Sequence, residues 1–359
     1  MQTQSNKIDF KGQNIYVGFD VHLKSWRVTI MTEKLTHKTF SQPPKPEVLY
    51  HYLTKTFPGG TYHSAYEAGF CGYWIHNKLV EFGIHSIVVN PADIPTTGKE
   101  KVQKDDSRDS VKIARSLRNG DLTAIHVPSK KTIEDRGLVR TRLMLVKDMT
   151  RHKNRIKSFL YYRGIDIPQA FDKPQTHWSN RFMKWLEDID LSNTIEKFSL
   201  NILLEQSKYS RALILKATKQ IKELAKTDQY KTQQELLRSI PGIGLITAMT
   251  ILTELETITR FATSDQLCGF IGLVPSTKST GDKEIIGDIT PRGHSILRST
   301  IIESAWVGAR LDPALNKSYH DYCKRMEPNK AIIRIARKLV NRIRFVLKNN
   351  QPYVCSVVK

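Results

Sequence analysis

Between residues 14 and 127 the chain alternates short apolar runs of strand character with segments of helical apolar spacing. Strands are predicted over 14–20, 25–32, 37–41, 61–66 and 85–90, and helices over 45–56, 72–83 and 107–118. The first three strands follow one another closely, as in an antiparallel meander. The later strands are separated by helices, as in parallel crossovers. The expected result is a mixed α/β sheet.

Past residue 130 the period becomes helical. Leu138, Leu145, Met149, Ile156 and Leu160 recur on one face, and Pro168 and Pro174 interrupt the chain. A second helix then carries Leu203, Leu213, Ala217, Ile221 and Leu224. Two long helices joined by a proline-bearing turn predict an antiparallel coiled-coil arm. A third, mostly α unit opens on Ser239-Ile240-Pro241-Gly242-Ile243-Gly244, ahead of an apolar helix from Leu245 to Leu255. That turn is either a tight interhelical connection or a set of helix N-terminal amides able to hold phosphate. Near the end, Ile332, Ile333, Ala336, Leu339, Val340, Ile343 and Leu347 form the buried stripe of another helix. The expected domains are 14–127, 128–232 and 233–350.

Charge adds a partner to this picture. The 359 residues include 56 Lys and Arg against 35 Asp and Glu, a net charge of +21, which predicts binding to a polyanion, nucleic acid first. The charge is clustered. Between Lys130 and Arg163 there are 11 basic residues and only Glu134, Asp135 and Asp148 against them. Lys147, Arg151 and Arg155 on that helix, and Arg334, Arg337 and Lys338 on the last one, are expected nucleic-acid contacts. Cys71, Cys268, Cys323 and Cys355 form no zinc spacing and suit a reducing cytosol. No run of about 18 apolar residues occurs, so no membrane span is expected. The chain reads as cytoplasmic, bacterial and nucleoid-associated when active.

Candidate chemistry lies in acidic residues at element ends. Asp20 closes the run Ile15–Phe19, Glu67 closes Tyr62–Tyr66, and Asp106 and Asp109 share one face at the start of a helix. Carboxylates drawn together repel one another unless a cation joins them, and Mg²⁺ or Mn²⁺ is the natural choice for such oxygen donors. Asp105 is the alternative to Asp106 in that role, and a helix cap is the alternative role for Asp106. A second constellation runs from Gly272-Leu273-Val274-Pro275 through Ser276-Thr277-Lys278-Ser279-Thr280-Gly281 to Gly287-Asp288-Ile289-Thr290-Pro291-Arg292-Gly293-His294 and Leu297-Arg298. Its small hydroxyl residues beside glycine read as an exposed loop, either ordinary or nucleophilic, with Arg292 and Arg298 as phosphate clamps.

Together these segments, with Tyr16–His22, Tyr66–Gly69, Lys104–Ser110 and the Pro-Gly-Ile-Gly turn, resemble the DEDD, or IS110, insertion-sequence transposases. The resemblance covers about residues 14–125 and 235–310, in order, with a helical arm between. It implies a RuvC-like, ribonuclease-H-type N-terminal domain in which Asp20, Glu67, Asp106 and Asp109 hold divalent metal. It also implies a C-terminal transposase domain with a nucleophilic serine, a serine–DNA intermediate, a structured guide RNA, and dimers or tetramers that share sites between subunits. A gapless match to the family puts the nucleophile at Thr280, but its neighbour Ser279 is preferred because a primary hydroxyl is less hindered than a β-branched one, with Thr280 second and Ser276 third. The chain departs from the family pattern at Asp105, Ser110, Pro291 and His294. The rival reading is a structure-selective endonuclease of the Holliday-junction resolvase kind, with water as nucleophile. A non-catalytic architectural protein ranks third.

Overall fold

The computed structural model describes residues 9–95, 106–171, 173–191, 193–280 and 283–355. The chain divides into two compact units, 1–127 and 128–359.

In the first unit, β1 (Asn14–Val21), β2 (Trp26–Met31) and β3 (Thr36–Gln42) form the antiparallel meander. After α1 (Pro46–Thr56), β4 (Thr61–Glu67) returns parallel to β1. After α2 (Trp74–Glu81), β5 (His85–Val89) adds parallel to β4. The five-stranded order is β3-β2-β1-β4-β5, the mixed sheet that the spacing of apolar runs predicts.

Alternation along β1 decides what each face receives. Ile15, Val17 and Phe19 are fully buried with Leu49 and Leu53 of α1 and Ile75 and Leu79 of α2. Tyr16, Gly18 and Asp20 therefore point to the other face, which α3 (Asp106–Asn119) covers. There Ile113 packs with Ala65, Val89 and Ile94.

Gly18 is where α3 comes closest. A Cβ at this position would stand 2.5 Å from the Ser110 carbonyl oxygen and collide with the Ala114 amide nitrogen. Both obstacles are backbone, so no rotamer relieves them. Gly18→Ala is expected to cost about 3 kcal/mol and to accelerate hydrogen exchange in β1 and α3. Unchanged exchange there would contradict this packing.

Among its described residues the second unit is helical apart from one hairpin. The long helices α4 (Lys130–Tyr162) and α6 (Thr194–Leu224) run antiparallel. Arg142 Nε donates to Thr218 Oγ1 at 2.7 Å, Ser207 Oγ meets Met149 Sδ at 3.5 Å, and Arg163 Nε lies 3.2 Å from Glu196. Between them α5 (Asn180–Asp188) buries Phe182 and Leu186 beside Ile156, Leu160, Leu200 and Leu204.

The rest comprises α7 (Lys231–Arg238), α8 (Leu245–Leu255), α9 (Ser264–Ile271), hairpin strands β6 (Pro275–Thr280) and β7 (Lys283–Ile289), α10 (Ser295–Leu311), α11 (Pro313–Cys323) and α12 (Pro328–Asn349). These helices share one core, in which α12 buries Ile332, Ile335, Ala336, Leu339, Val340, Ile343 and Val346. Gly244 is the N-cap of α8. Gly242 lies so close to α10 that a Cβ there would be 2.8 Å from the Gly308 nitrogen, so the Pro-Gly-Ile-Gly turn forms a tight interhelical contact. Among the described residues no helix is long and apolar enough to cross a membrane.

Candidate functional site

The acidic site grows out of the β1–β4 pairing. Phe19 lies in register with Tyr66, and their rings stack at 5.2 Å on the face covered by α1 and α2. One residue further, Asp20 and Glu67 stand at the carboxyl ends of neighbouring parallel strands, on the opposite face. Both are half-buried.

The helix that carries Asp106 and Asp109 is fixed over the same face. Ser110 Oγ is hydrogen-bonded to Thr29 Oγ1 at 2.9 Å, and Thr29 pairs across the sheet with Gly18. Asp109, half-buried, immediately precedes Ser110. Asp106 begins α3, while its side chain and the whole of Asp105 lie outside the described residues.

Around Asp20, His22 Nε2 is 3.1 Å from Oδ2 and Arg27 lies opposite in the β1–β2 register. Among the described residues no three His, Cys, Asp or Glu side chains converge into a metal cluster. The donor set itself suits a hard divalent ion. It consists of carboxylate oxygens from two strand ends and one helix start, each half-buried where its side chain is described.

The hydroxyl-rich segment, which reads as a loop in the sequence, is instead a β-hairpin. Ser279 pairs with Glu284 and Thr280 with Lys283. Ser276, the third-ranked nucleophile, donates its hydroxyl to the Asp288 carbonyl at 3.0 Å and packs against Gly287.

The base of the hairpin is tightly framed. Thr290 N–H donates to the Val274 carbonyl at 2.9 Å, and Gly272 and Gly293, both at positive φ, touch back to back. Arg298 donates through Nε to the Ile271 carbonyl at 3.3 Å and through Nη2 to the Arg292 carbonyl. Arg337 binds the Leu273 carbonyl at 3.0 Å and Asp265 at 2.8 Å. Two of the arginines read as phosphate contacts thus also donate to backbone carbonyls.

Other basic residues face outward. Arg292 and Arg334 are exposed, and Arg334 lines a cavity of about 640 Å³ between the hairpin base and α12. Lys338 reaches Ser318 Oγ at 3.0 Å. Lys147, Arg151 and Arg155 lie exposed along α4, with Arg151 paired to Asp148 at 2.7 Å.

One carboxylate escapes the sequence reading altogether. Glu254, on the otherwise apolar α8, has a side chain with no solvent exposure. Arg140 grips it through two bonds of 2.7 Å, Arg136 Nε lies 3.4 Å away, and His294 Nε2 is at 3.1 Å. The His294 Nδ1 accepts the Leu297 amide as the N-cap of α10, so its proton sits on Nε2 and points at Glu254. Glu254 thus ties α4 and α8 to the residue that follows the hairpin. A lone Glu within the run Ala248–Leu255 was the available signal.

Burial pushes the Glu254 carboxyl up, but hydrogen bonds and charge from Arg140 and His294 outweigh it and hold the pKa near 2, below the ordinary 4.5. A depressed folded value stabilises above the unfolded pKa and is lost as pH falls through the folded one. The contribution is about 3 kcal/mol, complete above pH 4.5 and lost towards pH 2. Glu254→Gln is expected to destabilise the second unit by about 3 kcal/mol at neutral pH, because the buried Arg136 and the half-exposed Arg140 lose the charge of a fully buried carboxylate. Urea midpoints at pH 7 and pH 3 test this: the gap between wild type and variant must narrow at pH 3.

Two sequence models match this chain. One, described as a transposase and of the IS110 DEDD type, covers residues 17–162, and the other, described as the transposase IS116/IS110/IS902 family, covers residues 234–320. Among individual proteins, y4qE of Sinorhizobium fredii, which bears a transposase name, is 31% identical over 70% of this chain and 60% of its own length. The transposase for insertion sequence element IS1533 of Leptospira borgpetersenii is 27% identical over 68% of this chain and 70% of its own. The transposase for IS1111A of Coxiella burnetii is 26% identical over 80% and 78%.

Proposed function

The chain belongs to the IS110 family of insertion-sequence transposases, and from that premise we propose that it cuts and exchanges DNA strands through a protein-linked intermediate. The observation that carries this reading is the placement of Asp20 and Glu67 at adjacent strand ends, beneath the helix that bears Asp106 and Asp109. In this reading the first unit is a RuvC-like domain, and the long α4/α6 pair is a coiled-coil arm.

Asp20, Glu67, Asp106 and Asp109 would hold divalent metal, Mg²⁺ or Mn²⁺. When bound, such ions neutralise charge developing on a phosphodiester. The chain's own residues do the rest. The Ser279 hydroxyl attacks the scissile phosphorus and loses its proton, while the bond to the leaving deoxyribose oxygen breaks and that oxygen gains a proton. A phosphoserine ester results, and attack by the hydroxyl of a second strand reseals DNA and frees Ser279. The energy of the original phosphodiester is kept in the ester, so no nucleotide cofactor is needed. The β6–β7 hairpin presents Ser279 and Thr280 on a backbone anchored by Arg298 and Arg337.

Lys147, Arg151 and Arg155 on α4, and Arg292, Arg334 and Lys338 in the last third, supply positive charge for DNA and for a structured guide RNA. Dimers or tetramers would bring a carboxylate set of one subunit to the hairpin of another.

The test is to quench the full-length protein in denaturant during reaction on element-end DNA, then map any DNA-linked peptide. A nucleotide-bearing peptide containing Ser279 and Thr280 is the expected result. Cleaved DNA with free hydroxyl ends and no protein adduct overturns the proposal in favour of water as nucleophile.

A further inference from the structure

Beside the α4/α6 pair, α5 and the segment preceding it enclose a cavity of about 720 Å³. Its apolar wall is the indole of Trp178 with the side chains of Met149, Met183 and Ile214. Around it stand Lys153, Lys184, Lys208 and Arg211, opposed by only Glu187 and Asp188. Glu187 already pairs with Lys208 at 2.7 Å, so the cations retain a surplus of charge.

Trp178 adopts φ 65, a left-handed conformation that costs a bulky residue about 1–3 kcal/mol. The indole packs nearly at right angles to the Phe182 ring, with ring centres 5.3 Å apart, and Trp178 lines the cavity. Lys153 Nζ lies 5.3 Å from the indole centre. Its amine is pushed below its ordinary value by burial and then by the like charges of Arg211 and Lys157, as befits cations gathered without a full complement of anions.

A flat aromatic plate, soft thioether walls and surplus positive charge at one mouth match a ligand with a planar face and an attached anion. A small inorganic anion would leave the apolar wall without purpose, and a paired duplex keeps its bases out of reach. The volume admits a single nucleotide. We propose that this cavity takes one unpaired nucleotide of a nucleic-acid strand, its base against Trp178 and the methionines and its phosphate among Lys153, Lys184 and Arg211. Its lining includes none of the carboxylates or hairpin residues invoked for strand transfer, and it does not depend on that chemistry.

Fluorescence anisotropy of the full-length chain with labelled 12-nucleotide single strands, RNA and DNA, tests the proposal. Trp178→Ala is expected to weaken single-strand binding about ten-fold and to leave binding of a duplex of the same length unchanged. A wild-type chain should lose the same factor on a strand whose central residues are abasic. Arg211→Gln should lower the slope of log affinity against log salt by about one. Tighter binding of RNA than DNA identifies RNA as the source; equal binding identifies recognition of base and phosphate alone.

Equal affinity of wild type and Trp178→Ala for single strands, or no penalty for abasic strands, overturns the proposal. Should Trp178→Ala lower the unfolding temperature, wild-type chain photo-crosslinked to a 4-thiouridine strand decides instead. Adducts on the peptides bearing Trp178 or Met183 support the site, and adducts confined to other regions overturn it.

Discussion

Ser279→Ala is expected to abolish both the DNA-linked adduct and recombination, to below about one part in 10⁴ of wild type. An alanine methyl has no lone pair with which to attack phosphorus, so no partial route through that residue survives. Binding of element-end DNA should stay within about two-fold, because one neutral hydroxyl adds little to an interface dominated by phosphate charge. Thr280→Ala should keep the adduct, at reduced yield, through disturbance of the strand pairing beside Lys283. The reverse pattern, adduct kept by Ser279→Ala and lost by Thr280→Ala, makes Thr280 the nucleophile. Ser276→Ala should lose the hydrogen bond to the Asp288 carbonyl and little activity.

Asp20→Asn is the second severe change. The amide keeps the shape of the carboxylate and removes its charge, so the strand end and its register with β4 persist. On the proposed ligand set a donor to the divalent ion would be lost, and strand cleavage is expected to fall roughly a thousand-fold. A readout independent of activity is the unfolding temperature with and without Mn²⁺. Wild type should be stabilised by the ion and Asp20→Asn should not. Without metal the variant should be at least as stable as wild type, since one repelling charge has gone from a face that carries Glu67 and Asp109. An unchanged Mn²⁺ effect in the variant would remove Asp20 from the ligand set.

The mixed character of the sheet was legible because β1 to β3 are separated by short turns and β4 and β5 by helices. Asp20 and Glu67 were legible as strand ends because the apolar runs before them stop at a charged residue. What alternation could not show is that both strands share a register to the residue, which depends on α1 returning β4 along β1. The closeness of α3 to Gly18 is likewise a contact across 92 to 96 positions of chain.

The hairpin was less visible. Pro275-Ser276-Thr277-Lys278-Ser279-Thr280 has no apolar alternation, and its strand form rests on pairing with Lys283–Ile289. Arg298 and Arg337 read as outward cations, because helical spacing does not reveal that backbone carbonyls of a distant turn lie within reach. Glu254 was hidden for the same reason. Its partners Arg136, Arg140 and His294 come from segments far away in sequence, and a buried ion cluster leaves no periodic signature.

The contact between Gly272 and Gly293 carries a consequence for descent. A Cβ on Gly293 would stand 2.5 Å from the Gly272 Cα, and one on Gly272 would strike the Arg292 carbonyl and the Arg298 guanidinium. Gly272 blocks any larger residue at Gly293, while Arg298 and the Arg292 carbonyl block one at Gly272. The three positions therefore form a single inherited character. Drift at one cannot be repaired by drift at another, whereas residues farther along the hairpin can diverge without disturbing its foundation.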